Sequence, residues 1–441
     1  MKVTRLRFTF LVLLIWSVVV SCGSTPAAPP AEVVPEPPAT QPPAPAPVVT
    51  VDPNSAQPDQ VSLNNLATAS RRAEEARKMI EDFKGSVNFP DEWSQAEALY
   101  GQAQSGNRTG TVGEVRDSIA RYNAAADAYE AMMEKTIARY AQELEDEITA
   151  ARNEALAAGA EYTAPDYLLD IDNSAADALA LYESKDYYNA RDSGIILRDR
   201  YKLLALGVEA YKARENALAA GAEHLAPEYL REIDTIAMTA LDLYESKDYD
   251  NARDSGVQAR DMYKILVVGV EAYKMRLEIE DRDFFRYDPL YIAATDEIAF
   301  SALDDYDAGD IPAAASKADD VLARYTQSLN LAKEAYASDW AVLAAVERQR
   351  ALDFRADVAV RQEFSATNAI FNQGTVAFQV RDFDKSAGLY KESRDLFIVV
   401  REIALERRRI AEEALREAER KMLESDEIAQ RAELILEGST R

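Results

Sequence analysis

Few side chains in this sequence could make or break bonds. The chain holds one histidine, His224, and one cysteine, Cys22. A single imidazole excludes most histidine-based proton relays and any multi-histidine metal site. DIDNSAAD, from Asp170 to Asp177, carries three carboxylates but lacks the central glycine and the closing glutamate of a calcium loop. GNRTGT at Gly106 has neither the spacing nor the Lys-Ser/Thr ending of a phosphate-binding loop. The expectation is therefore a protein that is not an enzyme and uses no cofactor and no metal. What does recur is an aspartate. Asp172, Asp234 and Asp296 lie 62 residues apart, and each is followed by a tyrosine and an acid: Tyr182-Glu183, Tyr244-Glu245 and Tyr306-Asp307. Tyrosine offers large contact area at low entropic cost, and a recurring aspartate beside it would suit a basic or amine-bearing peptide. The competing reading makes these tyrosines core residues at helix crossings.

The elements that hold these residues are legible from an internal repeat. Aligned without gaps, residues 151–212 and 213–274 are identical at 42 of 62 positions, and YESKDY stands in both. Repeats of this length imply supersecondary units stacked on one another. Pro90, Pro165, Pro227 and Pro289 each follow an arginine thirteen residues earlier (Arg77, Arg152, Arg214, Arg276), and Arg348 with Arg361 continues the series. Proline suits the first turn of a helix. From Pro227 to Tyr244 the apolar residues Leu230, Ile233, Ala237, Ala240 and Leu241 keep helical spacing. The polar ESKD turn then precedes a second helix of about 33 residues, ending at a glycine C-cap such as Gly159 or Gly221. Gly207 and Gly269, inside that helix, are read as points of close helix approach. No period-2 alternation follows Asn65, so the expected fold is all-α: five helix pairs of about 62 residues.

The elbow resembles the junction of a tetratricopeptide repeat. Ala240, Tyr244, Asp248-Tyr249, Ala252 and Ala259 occupy the small, aromatic and turn positions of that family, and Ala302, Tyr306, Gly309-Asp310 and Ala314 do so again. The chain departs from the family in lacking its first-helix tryptophan and closing proline, and in some 28 extra residues per unit. The resemblance implies an elongated tetratricopeptide-like solenoid. The extra length allows instead a rod with a spectrin-like overlap. It further implies that the first helix of each pair lines a binding face, which carries Asp172, Tyr182, Glu183, Asp234, Tyr244, Glu245, Asp296, Tyr306 and Asp307 to that face.

The ends place the chain. A basic start (Lys2, Arg5, Arg7) and an apolar run from Phe8 to Val20 suit a secretory signal and are short for a membrane span. Val19-Val20-Ser21-Cys22 resembles a bacterial lipobox, which implies lipidation of Cys22. Twelve of the seventeen prolines fall between Pro26 and Pro58, a composition expected to stay extended as a stalk. The expected domains are a signal peptide over 1–21, a lipidated N-terminus and disordered Pro/Ala-rich linker over 22–64, a helical repeat domain over 65–396, and a long capping helix over 397–441. Cleavage would take the formal charge from -27 to -30, which excludes nucleic acid as a partner and favours basic proteins. With no acidic residue after Cys22, the periplasmic face of the outer membrane is favoured. The chain is thus similar to repeat-containing periplasmic lipoproteins of diderm bacteria, spirochaetes included. That similarity implies a protein-interaction scaffold held to the membrane by its lipid, with a passive envelope spacer or a transporter-linked small-ligand binder as alternatives.

Overall fold

A computed structural model describes residues 52–439, and every regular element among them is helical. Cys22, the expected signal peptide and most of the proline-rich stretch lie outside the described residues. Eleven helices carry the architecture: α1 (Gln60–Asp82), α2 (Pro90–Ser105), α3 (Val112–Ala158), α4 (Pro165–Glu183), α5 (Tyr187–Ala219), α6 (Pro227–Glu245), α7 (Tyr249–Asp281), α8 (Pro289–Asp307), α9 (Ile311–Asp353), α10 (Arg361–Gln379) and α11 (Phe383–Ser439). Short helices alternate with long ones. The prolines take the first position of α2, α4, α6 and α8, where a missing N–H costs nothing, and Arg361 stands there in α10.

YESKDY is explained by its hydrogen bonds. The Lys185 N–H donates to the Tyr182 carbonyl and the Asp186 N–H to that of Leu181, both at 3.0 Å, which closes α4 as a Schellman motif. Lys185 accordingly sits in the left-handed region at φ 65°, as do Lys247 (66°), Gly309 (79°) and Arg381 (62°) at the three later elbows. In α7 the Asp248 side chain caps the new N-terminus by accepting from the Asn251 N–H. The two tyrosines of the motif meet edge to face, Tyr182 with Tyr187 at 5.6 Å and Tyr244 with Tyr249 at 5.7 Å. The other ends of α1, α3, α5, α7 and α9 close on a second left-handed residue, Lys84, Gly159, Gly221, Asp283 and Arg355 respectively.

Packing follows from the length difference. α3 packs on α5, α5 on α7, α7 on α9 and α9 on α11, while each short helix packs on the long helix after it. One core joins Ala151 and Ala155 of α3 to Leu168 and Ile171 of α4 and to Leu197, Tyr201 and Val208 of α5. The next joins Ala213 and Ala217 of α5 to Leu230 and Ile233 of α6 and to Tyr263 and Leu266 of α7. A long helix therefore serves one core with its first half and the following core with its second. Gly194 and Gly256 permit this overlap: an added Cβ would stand 2.6 Å from Leu144 and 3.0 Å from Leu206.

Both expected bounds of the repeat domain, 65 and 396, fall inside helices. α1 begins at Gln60, capped by Asp59, and the turn Pro53–Ser55 is tied to the start of α3 through Val112 N–H to Ala56 carbonyl and Arg116 to Asn54. At the other end no break occurs at 397, because α11 is the long helix of the last pair and runs on without a stop signal. Phe397, Val400 and Ala404 are buried, but every residue from 405 to 436 is exposed. The second half of α11 projects from the array rather than capping it. Its charged face is laced by pairs such as Arg408–Glu412 and Arg409–Glu413. No helix among the described residues is long and apolar enough to cross a membrane.

Candidate functional site

The recurrent aspartates sit in ion-pair clamps between helices. Arg152 of α3 donates twice to Asp172 of α4, both at 2.8 Å, and the Tyr201 hydroxyl of α5 donates to the same carboxylate at 2.5 Å. Arg214 and Tyr263 hold Asp234 in the same way, with arginine distances of 2.7 and 2.9 Å. Arg276 holds Asp296 at 3.0 and 3.3 Å together with Tyr325. At the N-terminal end Glu97 takes the carboxylate role between Arg77 and Tyr129, and at the C-terminal end Asn368 accepts from Arg348. The arginine thirteen residues before each proline thus reaches seven residues past it, across the helix junction.

These bonds move the titrations. The Arg214 hydrogen bond holds Asp234 below the usual carboxylate value against its own burial. For Asp172 burial is the largest influence and pushes upward, yet Arg152 and Tyr201 together outweigh it and the carboxyl is lowered. Burial and the neighbouring carboxylate raise Tyr201 and Tyr263.

The remaining predicted site residues divide. Glu183, Glu245 and Asp307 are exposed at the ends of α4, α6 and α8. Tyr182 and Tyr244 are half-buried, and Tyr306 is buried. Tyr182 lies against the cluster of Phe83, Tyr140 and Leu144. Tyr244 and Tyr306 instead line two clefts. The first, of about 530 Å³, opens above the Arg214–Asp234 clamp among α5, α6 and α7. The second, of about 300 Å³, opens above Arg276 among α7, α8 and α9. Most of the two linings correspond at the 62-residue interval: Tyr167 with Tyr229, Tyr211 with Tyr273, Leu241 with Leu303, Tyr244 with Tyr306. Tyr167 stacks edge to face on Tyr244 at 5.9 Å and its hydroxyl donates to Glu245 at 3.5 Å, so the acid stands at the rim. Tyr229 meets Tyr306 at 5.5 Å, near Asp307.

Gly207 and Gly269 need correction. They neither break their helices nor bring two helices together: both line the clefts, and a Cβ added at either would meet nothing within 4 Å. Leu241 also leaves its expected place in the core, being 45% exposed. The cleft walls went unrecognised because an apolar residue at helical spacing reads as core. The available signal was that Leu179, Leu241 and Leu303 recur one turn before the exposed acids.

Other candidates resolve into structure. Asp170 pairs with Arg200 and Asp172 with Arg152, so DIDNSAAD is a stretch of α4 rather than a loop. His224 is exposed on the short turn before α6. Among the described residues no group of three or more histidine, cysteine or acidic side chains is placed to hold a metal ion. Comparison with known proteins returned no match to a family model, a curated protein or a solved structure.

Proposed function

We propose that this chain is a non-enzymatic envelope lipoprotein, anchored through Cys22 at the periplasmic face of the outer membrane, whose helices form a protein-interaction scaffold. In this reading the array consists of five stacked tetratricopeptide-like helix pairs. The overlap of consecutive long helices supports an extended rod over a regular superhelix. One observation carries the functional reading: the array presents the same outward set three times. Leu179, Leu241 and Leu303 are each 42–45% exposed, and each is followed four residues later by an exposed acid, Glu183, Glu245 or Asp307. A solvated apolar residue costs free energy unless something covers it, and recurrence of that cost at one position favours a binding face over chance.

The acids to reverse in a test are the exposed ones. Asp172, Asp234 and Asp296 are bonded within the array, so a lysine there would break the clamp before it reported on a partner. The chain from Gly23, carrying a tag in place of the lipid, is crosslinked in native envelopes beside a Glu183→Lys/Glu245→Lys/Asp307→Lys variant. A stoichiometric protein recovered with the first and lost with the second is expected. Recovery of the same cell-wall or lipid components with both would assign the chain a spacer role.

A further inference from the structure

We propose that the cleft among α5, α6 and α7, with its counterpart among α7, α8 and α9, takes a basic amphipathic helix of a partner protein. The inference rests on the scaffold reading and names what that face recognises. Charge complementarity fixes the sign. The three short helices α4, α6 and α8 carry fifteen carboxylates and a single basic side chain, Arg231. Some of those carboxylates are neutralised inside, by the clamps and by Arg200 and Lys317, but the rim acids Glu245 and Asp307 are exposed.

Extent and shape argue for a helix rather than a small molecule. The clefts, of about 530 and 300 Å³, fall within the range of ligand-site volumes, yet the apolar surface does not stop at their walls. Met238, which lines the first cleft, is 67% exposed, and Phe300, outside the second, is 65% exposed; each stands one turn before the cleft-wall leucine of its helix. A groove that is mainly apolar above its buried arginine, with apolar shoulders and an acidic rim, matches a helix that inserts residues at i, i+3 or i+4 and i+7 and keeps its cations outward. Gly207 and Gly269 supply the room. With no atom near the missing Cβ, a larger residue at either would fill the cleft without straining its helix.

The test uses the full chain and a fluorescent peptide of about 18 residues, five helical turns, with leucine and lysine at amphipathic spacing. Wild type should bind it with an affinity that falls as salt rises. Gly207→Leu/Gly269→Leu and Glu245→Lys/Asp307→Lys should each weaken binding by at least about tenfold, with helical circular dichroism unchanged. Equal binding by the cleft-filled variant overturns the inference, as does equal binding of a scrambled peptide of the same composition. Failure of the peptide, combined with an uncharged apolar dye that binds wild type but not the filled variant, overturns it in favour of a small apolar ligand. The scaffold reading is checked separately. If the filled variant still recovers the crosslinked envelope protein that Glu183→Lys/Glu245→Lys/Asp307→Lys loses, the scaffold stands and the groove assignment falls.

Discussion

Arg200 donates through its Nε to the Tyr244 hydroxyl at 3.2 Å, and the same guanidinium reaches Ser174 and Asp170. Sixty-two residues on, Met262 stands in the place of Arg200, Ile236 in that of Ser174 and Glu232 in that of Asp170. The equivalent hydroxyl, on Tyr306, is buried and has no hydrogen-bond partner. The copies have thus diverged in chemistry at a point where their backbones agree.

That difference predicts opposite effects from one substitution. Tyr244→Phe removes a hydrogen bond to a charged group and should destabilise by about 1–2 kcal/mol. Tyr306→Phe removes a hydroxyl buried without a partner and should be neutral or stabilising by up to about 1 kcal/mol. Urea unfolding of the two variants decides; equal losses would mean that the Tyr306 hydroxyl is satisfied in solution.

Asp234 gives a pH prediction with a definite sign. Its pKa is lowered in the folded chain, chiefly by Arg214, so as pH falls the unfolded chain takes up the proton first. The clamp's contribution is complete above the unfolded aspartate value of about 3.9 and is lost as pH falls through the lower folded value. Asp234→Asn should keep one arginine hydrogen bond, as Asn368 does with Arg348. It should flatten the decline of stability below about pH 5. Unfolding curves at stepped pH would show the two proteins converging in acid.

The glycines separate by what surrounds them. Gly207→Ala and Gly269→Ala place a methyl in open space within a helix and should each stabilise by about 1 kcal/mol. Gly194→Ala brings its Cβ to 2.6 Å from Leu144 and should destabilise by about 1–3 kcal/mol through overpacking. Melting temperatures moving in opposite directions are the expected result.

Lysine at the elbow carries backbone strain. Lys185 and Lys247 occupy left-handed conformations that cost an L-residue roughly 1–2 kcal/mol, and the elbow after α8 has Gly309 at that position. Lys247→Gly should stabilise by about 0.5–1 kcal/mol, the gain being reduced by the greater freedom of glycine when unfolded. A lower urea midpoint would refute this.

Removing residues 410–441 should leave the array intact, since no side chain described beyond 404 is buried. The melting temperature is expected to move by no more than about 2 °C. A larger fall would show that the projecting part of α11 has a partner in solution.

Local chemistry explains what the sequence by itself determined. All-helical class, proline starts, the ESKD elbow and the lengths of α5 and α7 are set within a few residues by φ preferences, caps and apolar period, so they could be read in order. The clamps were half legible. Arg152 and Asp172 both stood out by recurrence, but their bidentate bond spans two helices, and only the tertiary structure turned Asp172, Asp234 and Asp296 inward. The clefts were not legible at all. Leu241 on an apolar stripe and Gly207 inside a long helix look like core and close contact, and a cavity is defined by atoms that are absent from three neighbouring helices. Length followed the same division: nothing in REIALERRRIAEEALREAER distinguishes a helix that lies on the array from one that leaves it. Where the partner helices end decides that, and α9 and α10 provide no surface for α11 beyond Ala404 and Arg407.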